Sequence, residues 1–102
     1  MYNVHMEYLR FEWDKKKEKV NIKKHGVSFE EARTAFFDEQ AILFYDPDHS
    51  DEEDRFLLLG TSYKLNTLIV CHCFREEEKV VRIIQARKTD KIETEAYWNY
   101  RK

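Results

Sequence analysis

Lys24-His25-Gly26 sets a cation and an imidazole side by side. Histidine takes and gives protons near neutral pH, and a lysine next to it can hold a phosphate within reach. The local alternative is charge compensation at the end of a helix. Further along, Arg75, Arg82, Arg87 and Lys88 fall in two runs rich in β-branched and apolar residues. An arginine in such a strand is costly unless its guanidinium reaches water or an anion, and it can clamp a phosphate with two parallel hydrogen bonds. The bland alternative is ordinary outward alternation. If Glu76, Glu77 and Glu78 form the turn, Arg75 pairs with Lys79. Cys71, Cys73 and Arg75 then share a face with Val81, Ile83, Gln85 and Arg87, while His72 meets Arg82 on the other face. A slip of one residue changes these assignments. In that register Arg75 and Arg87 stand roughly 25 Å apart, close enough to grip one extended polyanion but not one phosphate.

Other groupings weigh less. Lys15, Lys16, Lys17, Lys19, Lys23 and Lys24 make one segment strongly basic. It is either a phosphate-tracking surface or a solvated helix face. Lysines at its N-terminal end oppose the helix dipole, so helix stability is not the reason for them. The acidic stretch Asp46-Pro47-Asp48-His49-Ser50-Asp51 fails as a calcium loop, because Asp51 and Leu57 occupy the positions that require glycine and glutamate. It reads as a solvated loop or a contact for a basic partner. Cys71-His72-Cys73 cannot hold one ion from one strand, since neighbours point to opposite faces. We read it as two core cysteines flanking a histidine. His49 and His72 are reserve acid–base candidates, and Trp98 reads as a packing residue, with a stacking platform for bases as the alternative.

The elements that must position these groups follow from period and punctuation. Phe11-Glu12-Trp13 alternates like a short strand. Asp14 is an N-cap for a helix over residues 15 to about 25, and Gly26 suits the left-handed position after it. Ser28 and Glu31 form a capping box for a second helix, with Phe29, Ala32 and Phe36 as its apolar stripe, ending near Asp38. Residues 41–45, 55–62, 67–75 and 79–86 read as strands separated by polar turns. Residues 89–100 read as a closing helix with Ile92, Ala96 and Tyr100 on its inner face. The expected architecture is α+β: two N-terminal helices, an antiparallel sheet of about four strands and a C-terminal helix. Residues 1–10 are expected to be a loose arm and 11–102 a single domain.

The chain has 102 residues with 42% hydrophobic and 37% charged side chains, which suits one small folded domain with a heavily charged surface. Net charge is −2, but six acids crowd into residues 46–54; without them 18 basic residues face 14 acidic ones. Patterned charge of this kind can still steer a polyanion. Two cysteines two residues apart on one strand make no disulfide framework, which points to a reducing, cytoplasmic setting. No stretch is apolar enough for a membrane span or a signal peptide, so no membrane partner is expected.

Taken together, Phe11-Glu12-Trp13-Asp14, Asn21, Lys24-His25-Gly26-Val27-Ser28-Phe29-Glu30-Glu31-Ala32, Asp46-Pro47-Asp48-His49-Ser50 with Arg55 and Gly60, and Arg82-Ile83-Ile84 with Ala86-Arg87-Lys88 resemble the BrnT family of type II toxins. Glu93 and Tyr97 fall at family-like spacing. Gln85 stands where the family has serine, and Thr89 where it has alanine. The resemblance implies a RelE-like fold and a ribonuclease that arrests growth, neutralised by a BrnA-like, DNA-binding cognate antitoxin. RNA is then the substrate, and the ribosome is an optional partner that would position it. With that implication, His25, Arg87 and Arg75 are the expected catalytic residues, and Lys24, Lys88 and Arg55 the expected RNA contacts. Attack by the ribose 2′-hydroxyl would require neither metal nor cofactor. A different class stays open: a non-catalytic RNA- or protein-binding module, or a degenerate toxin that keeps only antitoxin binding.

Overall fold

The computed structural model describes residues 9–49 and 52–100. Most of the expected N-terminal arm, and Ser50 and Asp51 of the acidic loop, lie outside the described residues. The chain runs through β1 (Arg10–Glu12), α1 (Lys15–His25), α2 (Phe29–Thr34) and a 3-10 turn (Ala35–Phe37). It continues through β2 (Ile42–Tyr45), a second 3-10 turn (Pro47–His49), β3 (Phe56–Thr61), β4 (Thr67–Arg75), β5 (Val80–Lys88) and α3 (Lys91–Tyr100).

Local chemistry explains the helix ends. Asp14 accepts from the backbone N–H groups of Lys16 and Lys17, at 2.7 and 3.2 Å, and these bonds hold its carboxyl below the usual range. Gly26 adopts φ 72°, a left-handed conformation that a side chain resists. Ser28 caps α2 by accepting from Glu31 N–H at 2.9 Å. The other half of the expected capping box goes elsewhere. Glu31 is buried, and its carboxylate accepts from Ser62 Oγ at 2.6 Å and Asn66 Nδ2 at 2.9 Å, tying α2 to the β3–β4 turn.

The sheet has five strands in the order β1-β5-β4-β3-β2, one more than expected. The added strand contains Phe11 and Glu12 of the alternating segment and pairs parallel with β5, so the sheet is not purely antiparallel. One face carries the larger core. Leu58, Leu68, Val70, Val81, Ile83 and Ala86 pack there against Val27, Phe29, Ala32, Ala35 and Phe36. Gly60 lets the chain after α2 approach closely, since a Cβ would come within 2.9 Å of Ala35 O. On the other face a smaller cluster of Leu59, Ile69 and Tyr97 anchors α3.

Three expectations are corrected. The β4–β5 turn takes four residues, so Arg75 pairs with Val80 rather than with Lys79. Glu76, Glu77 and Glu78 all have positive φ there, which carries the chain round without glycine at a cost in strain. The shift sets Arg82 opposite Cys73, and Ile83 opposite His72. The inner stripe of α3 is also different. Ile92 and Tyr100 are exposed and Tyr97 is buried, because α3 is anchored by polar bonds from Glu93 and Tyr97.

Candidate active site

A break in the β4–β5 ladder decides where the strand's polar groups go. Cys71 pairs with Gln85 but His72 pairs with Ile83, so Ile84 is an extra residue on β5. A bulge of this kind re-aims the residues that follow it. Gln85 and Arg87 are therefore set opposite Cys71 and Ile69, while Ala86 enters the larger core.

Asn21 holds this end of β5 in place. Beyond Arg82 β1 no longer pairs with β5. Buried Asn21 takes over, donating to Ala86 O at 2.8 Å and accepting from Ala86 N–H at 3.1 Å. It also donates to Val27 O at 2.8 Å. One side chain thus replaces a strand partner and fixes α1 against the bulge.

Two cavities flank Gln85. The first, about 300 Å³, has Leu57, Ile69 and Cys71 as its floor and Arg55, Arg87, Asp46 and Asp48 around it. Burial pushes the Cys71 thiol up, so it stays protonated and is no nucleophile. The second, about 360 Å³, lies between α1 and β5 and is lined by Lys16, Lys17, Val20, Asn21, Lys24, His25, Ile84 and Gln85. Gln85 Nε2 and His25 Nε2 are 3.4 Å apart.

Arg87 and Glu93 form a bidentate pair, Nη1 to Oε1 and Nη2 to Oε2 at 2.8 Å each. The pairing raises the already high pKa of Arg87 and holds Glu93 below the usual carboxylate range. Nη1 also donates to Lys88 O. A guanidinium has five N–H donors, so the Nε proton and one Nη2 proton are left without a partner among the described residues. Glu93 therefore orients Arg87 without using all its donors. Asp90 completes the corner: its carboxylate accepts from Glu93 N–H at 2.7 Å, and its N–H donates to Glu93 Oε1 at 2.9 Å.

The residues expected to do chemistry thus divide. Arg55 and Arg87 share one cavity; His25 and Lys24 share the adjoining one. Arg75 lies at the far end of β4, paired with Glu53 at 3.2 Å and 4.0 Å from Glu12, which also binds Arg82 at 2.9 Å. Lys88 is exposed at the end of β5, opposite Leu68 of the helix-covered face. His72 is fully buried among Phe36, Phe56 and Phe74, and burial lowers its pKa to about 4. The side chain of His49 lies outside the described residues. Among the described residues, no group of three or more His, Cys, Asp and Glu side chains is arranged to hold a metal ion.

Residue type alone points to no role for Gln85, Ile84 or Glu93, although the family resemblance marks Gln85 as a departure and Glu93 as family-like. Their roles depend on the bulge and on α3 returning to β5. The spacing of Glu93 six residues after Arg87 was the only sequence signal for the ion pair.

The fold and the site define a small α+β protein that gathers guanidinium groups on the less covered face of its sheet, beside an imidazole- and lysine-lined groove. The model of the family described as ribonuclease toxin, BrnT, of type II toxin–antitoxin system matches residues 13–93, and the chain belongs to that family. A similar solved structure is the Brucella abortus ribonuclease toxin BrnT, 20% identical, with a TM-score of 0.63. The match covers 81% of this chain and 99% of that one, and at this identity it bears on the fold alone. No curated protein matches the chain. Among the described residues no helix is long and apolar enough to cross a membrane.

Proposed function

We propose that this toxin-family chain cuts RNA without metal, by attack of a ribose 2′-hydroxyl on the adjacent phosphorus. The new 2′-O–P bond closes a 2′,3′-cyclic phosphate, and the 5′-oxygen leaves with a proton as a hydroxyl. The protein has to take one proton, supply one and stabilise the charge building on the phosphate oxygens. The observation that carries this reading is the junction at Gln85, where the arginine cavity adjoins the groove of His25 and Lys24. A phosphate at the free donors of Arg87, with Arg55 across the cavity, places its ribose toward His25. His25 is the proton-transfer group, and Lys24 holds the neighbouring phosphate. Arg75 and Lys88 bind flanking RNA.

The family implies an antitoxin partner. We place that partner over the basic groove and arginine cavity, where it blocks RNA, and take it to be BrnA-like and DNA-binding, so that the complex represses its own operon. A RelE-like description of the fold and arrest of growth belong to the same proposal. The carboxylate partner on Arg87 favours one competing reading, a non-catalytic RNA-binding module.

The test uses the chain freed of antitoxin and an end-labelled RNA. Cleavage should persist in EDTA and leave cyclic phosphate and 5′-hydroxyl ends. Arg87→Ala should lower the rate by about 10²–10³-fold, the usual cost of removing a charge-stabilising donor. Loss of cleavage in EDTA, or equal rates for wild type, Arg87→Ala and His25→Ala, overturns the mechanism. Growth arrest with intact RNA selects the binding module.

A further inference from the structure

We propose that the cavity between α1 and the β5 bulge is a nucleobase subsite, in which one base of single-stranded RNA lies on Val20 and Ile84 beside the His25 ring and is read by the Gln85 amide. The inference rests on the RNA-cleaving reading above and names what its second cavity holds.

Three observations carry it. The first is the lining. The cavity is about 360 Å³ and is lined by two apolar side chains, one imidazole, three lysines and the amides of Asn21 and Gln85, of which Asn21 is buried and already bonded to Val27 and Ala86. A small, mainly apolar pocket with a few convergent polar groups suits a compact planar ligand. The lysines suit the phosphates on either side of that ligand. Val20 is 64% exposed on a helix otherwise dominated by charge, so packing among the described residues does not account for an apolar residue there.

The second is the difference between the lysines and the arginines. Arg10, Arg33, Arg75, Arg82 and Arg87 each have a carboxylate within ion-pair distance. Among the described residues, Lys16, Lys17 and Lys24 have no such pair. Lys16 and Lys17 also sit in the first turn of α1, where the helix dipole disfavours cations. Their charge is available to an external anion and costs the helix stability.

The third is the bulge. In an unbroken strand Ile84 and Gln85 would be held to alternate faces of the sheet. With Ile84 as the extra residue, an apolar side chain and an amide border the same cavity. Gln85 also borders the arginine cavity, so a base in the groove leaves its own phosphate facing Arg87. An amide offers both a donor and an acceptor to a base edge, which is the chemistry of sequence preference.

Binding is read by NMR titration of the antitoxin-free chain with the four ribonucleoside 3′-monophosphates, with ribose 5-phosphate as a probe that lacks a base. Nucleotides should shift the signals of Val20, Ile84, Gln85 and His25, and ribose 5-phosphate should leave Val20 and Ile84 in place. Equal shifts from the base-free probe, or none from any nucleotide, overturn the subsite. Selectivity is read by mapping cuts along one unstructured RNA. Gln85→Leu should change the ratio of cutting between the most and least favoured nucleotides by about 5-fold or more, since reading a base edge is worth about 1–3 kcal/mol. Arg87→Ala should lower all cuts alike. An unchanged ratio in Gln85→Leu removes its reading role. If the wild type cuts no RNA, the proposed reaction fails, and the titration still decides whether the cavity takes a base. Both Gln85 and Val20 are exposed, so Val20→Ser and Gln85→Leu keep the fold, and Val20→Ser should weaken nucleotide binding by several-fold.

Discussion

On one face of the sheet, Leu58, Leu68, Val70, Val81 and Ile83 meet two helices and exclude water. On the other, Arg55, Gln85 and Arg87 share the surface with Leu57, Ile69 and Cys71 around an open cavity, and Tyr97 of α3 packs on Leu59 and Ile69 beside it. The same strands supply both faces, so the contrast is made by alternation and by a single extra residue in β5. The buried face holds its histidine neutral and inaccessible. The open face and the adjoining groove hold the charges, with Arg87 oriented by Glu93 and the groove lysines left to solvent. Stability and chemistry are thereby separated by the thickness of one sheet, and four experiments can break or sharpen that separation.

The largest effect is expected on the covered face. Phe36 is 1% exposed and packs on Phe11 and His72. Phe36→Ala should cost about 3–5 kcal/mol in urea unfolding, enough to leave so small a protein barely folded. A loss under 1 kcal/mol would mean that the two faces are not so different.

Next comes pH. His72 has a folded pKa of about 4 against an ordinary 6.5, because burial disfavours its charged form. The unfolded chain therefore takes up the proton first. Its contribution is intact above pH 6.5 and is lost as the pH falls toward 4, by about 3 kcal/mol in total. Urea midpoints across this range should fall less steeply for His72→Leu than for the wild type. Parallel curves would show that His72 is not the group responsible.

Asn21→Ala links the two faces. It leaves Ala86 N–H and C=O without their partner and should cost about 2 kcal/mol. Because Asn21 fixes the bulge, nucleotide-induced shifts at Gln85 should weaken as well. Loss of stability with an unaltered groove would separate the core from the site more completely than proposed here.

The smallest effect belongs to the exposed lysines. Lys24→Gln should leave unfolding within about 0.5 kcal/mol of wild type. It should weaken RNA binding evenly across sequences and lower the slope of log K against log salt by about 1. A change in sequence preference instead would give Lys24 a reading role.

Much of this was legible in the sequence, and for local reasons. Asp14, Gly26 and Ser28 act on backbone groups within a few residues, so helix ends could be read from them. Strand β4 begins and ends where its β-branched run does. The candidate residues were identified by type, but their grouping was not. Arg75 and Arg87 looked alike in sequence, yet one joins Glu53 and Glu12 while the other borders a cavity with Arg55.

What the chain determined by itself were the groups whose partners are near in sequence: caps, periods, the apolar stripe of α2 and the charge pattern of α1. Tertiary structure alone decided the rest. It set the register of β4 on β5, since a four-residue turn and a three-residue turn fit the same residues equally well until the whole sheet packs. It placed the bulge that turns Gln85 and Arg87 outward, and it brought Glu93 back to Arg87 and Asn21 to Ala86. Hydrogen bonds between residues such as Asn21 and Ala86, 65 positions apart, form only when the core has closed, so no local pattern announces them.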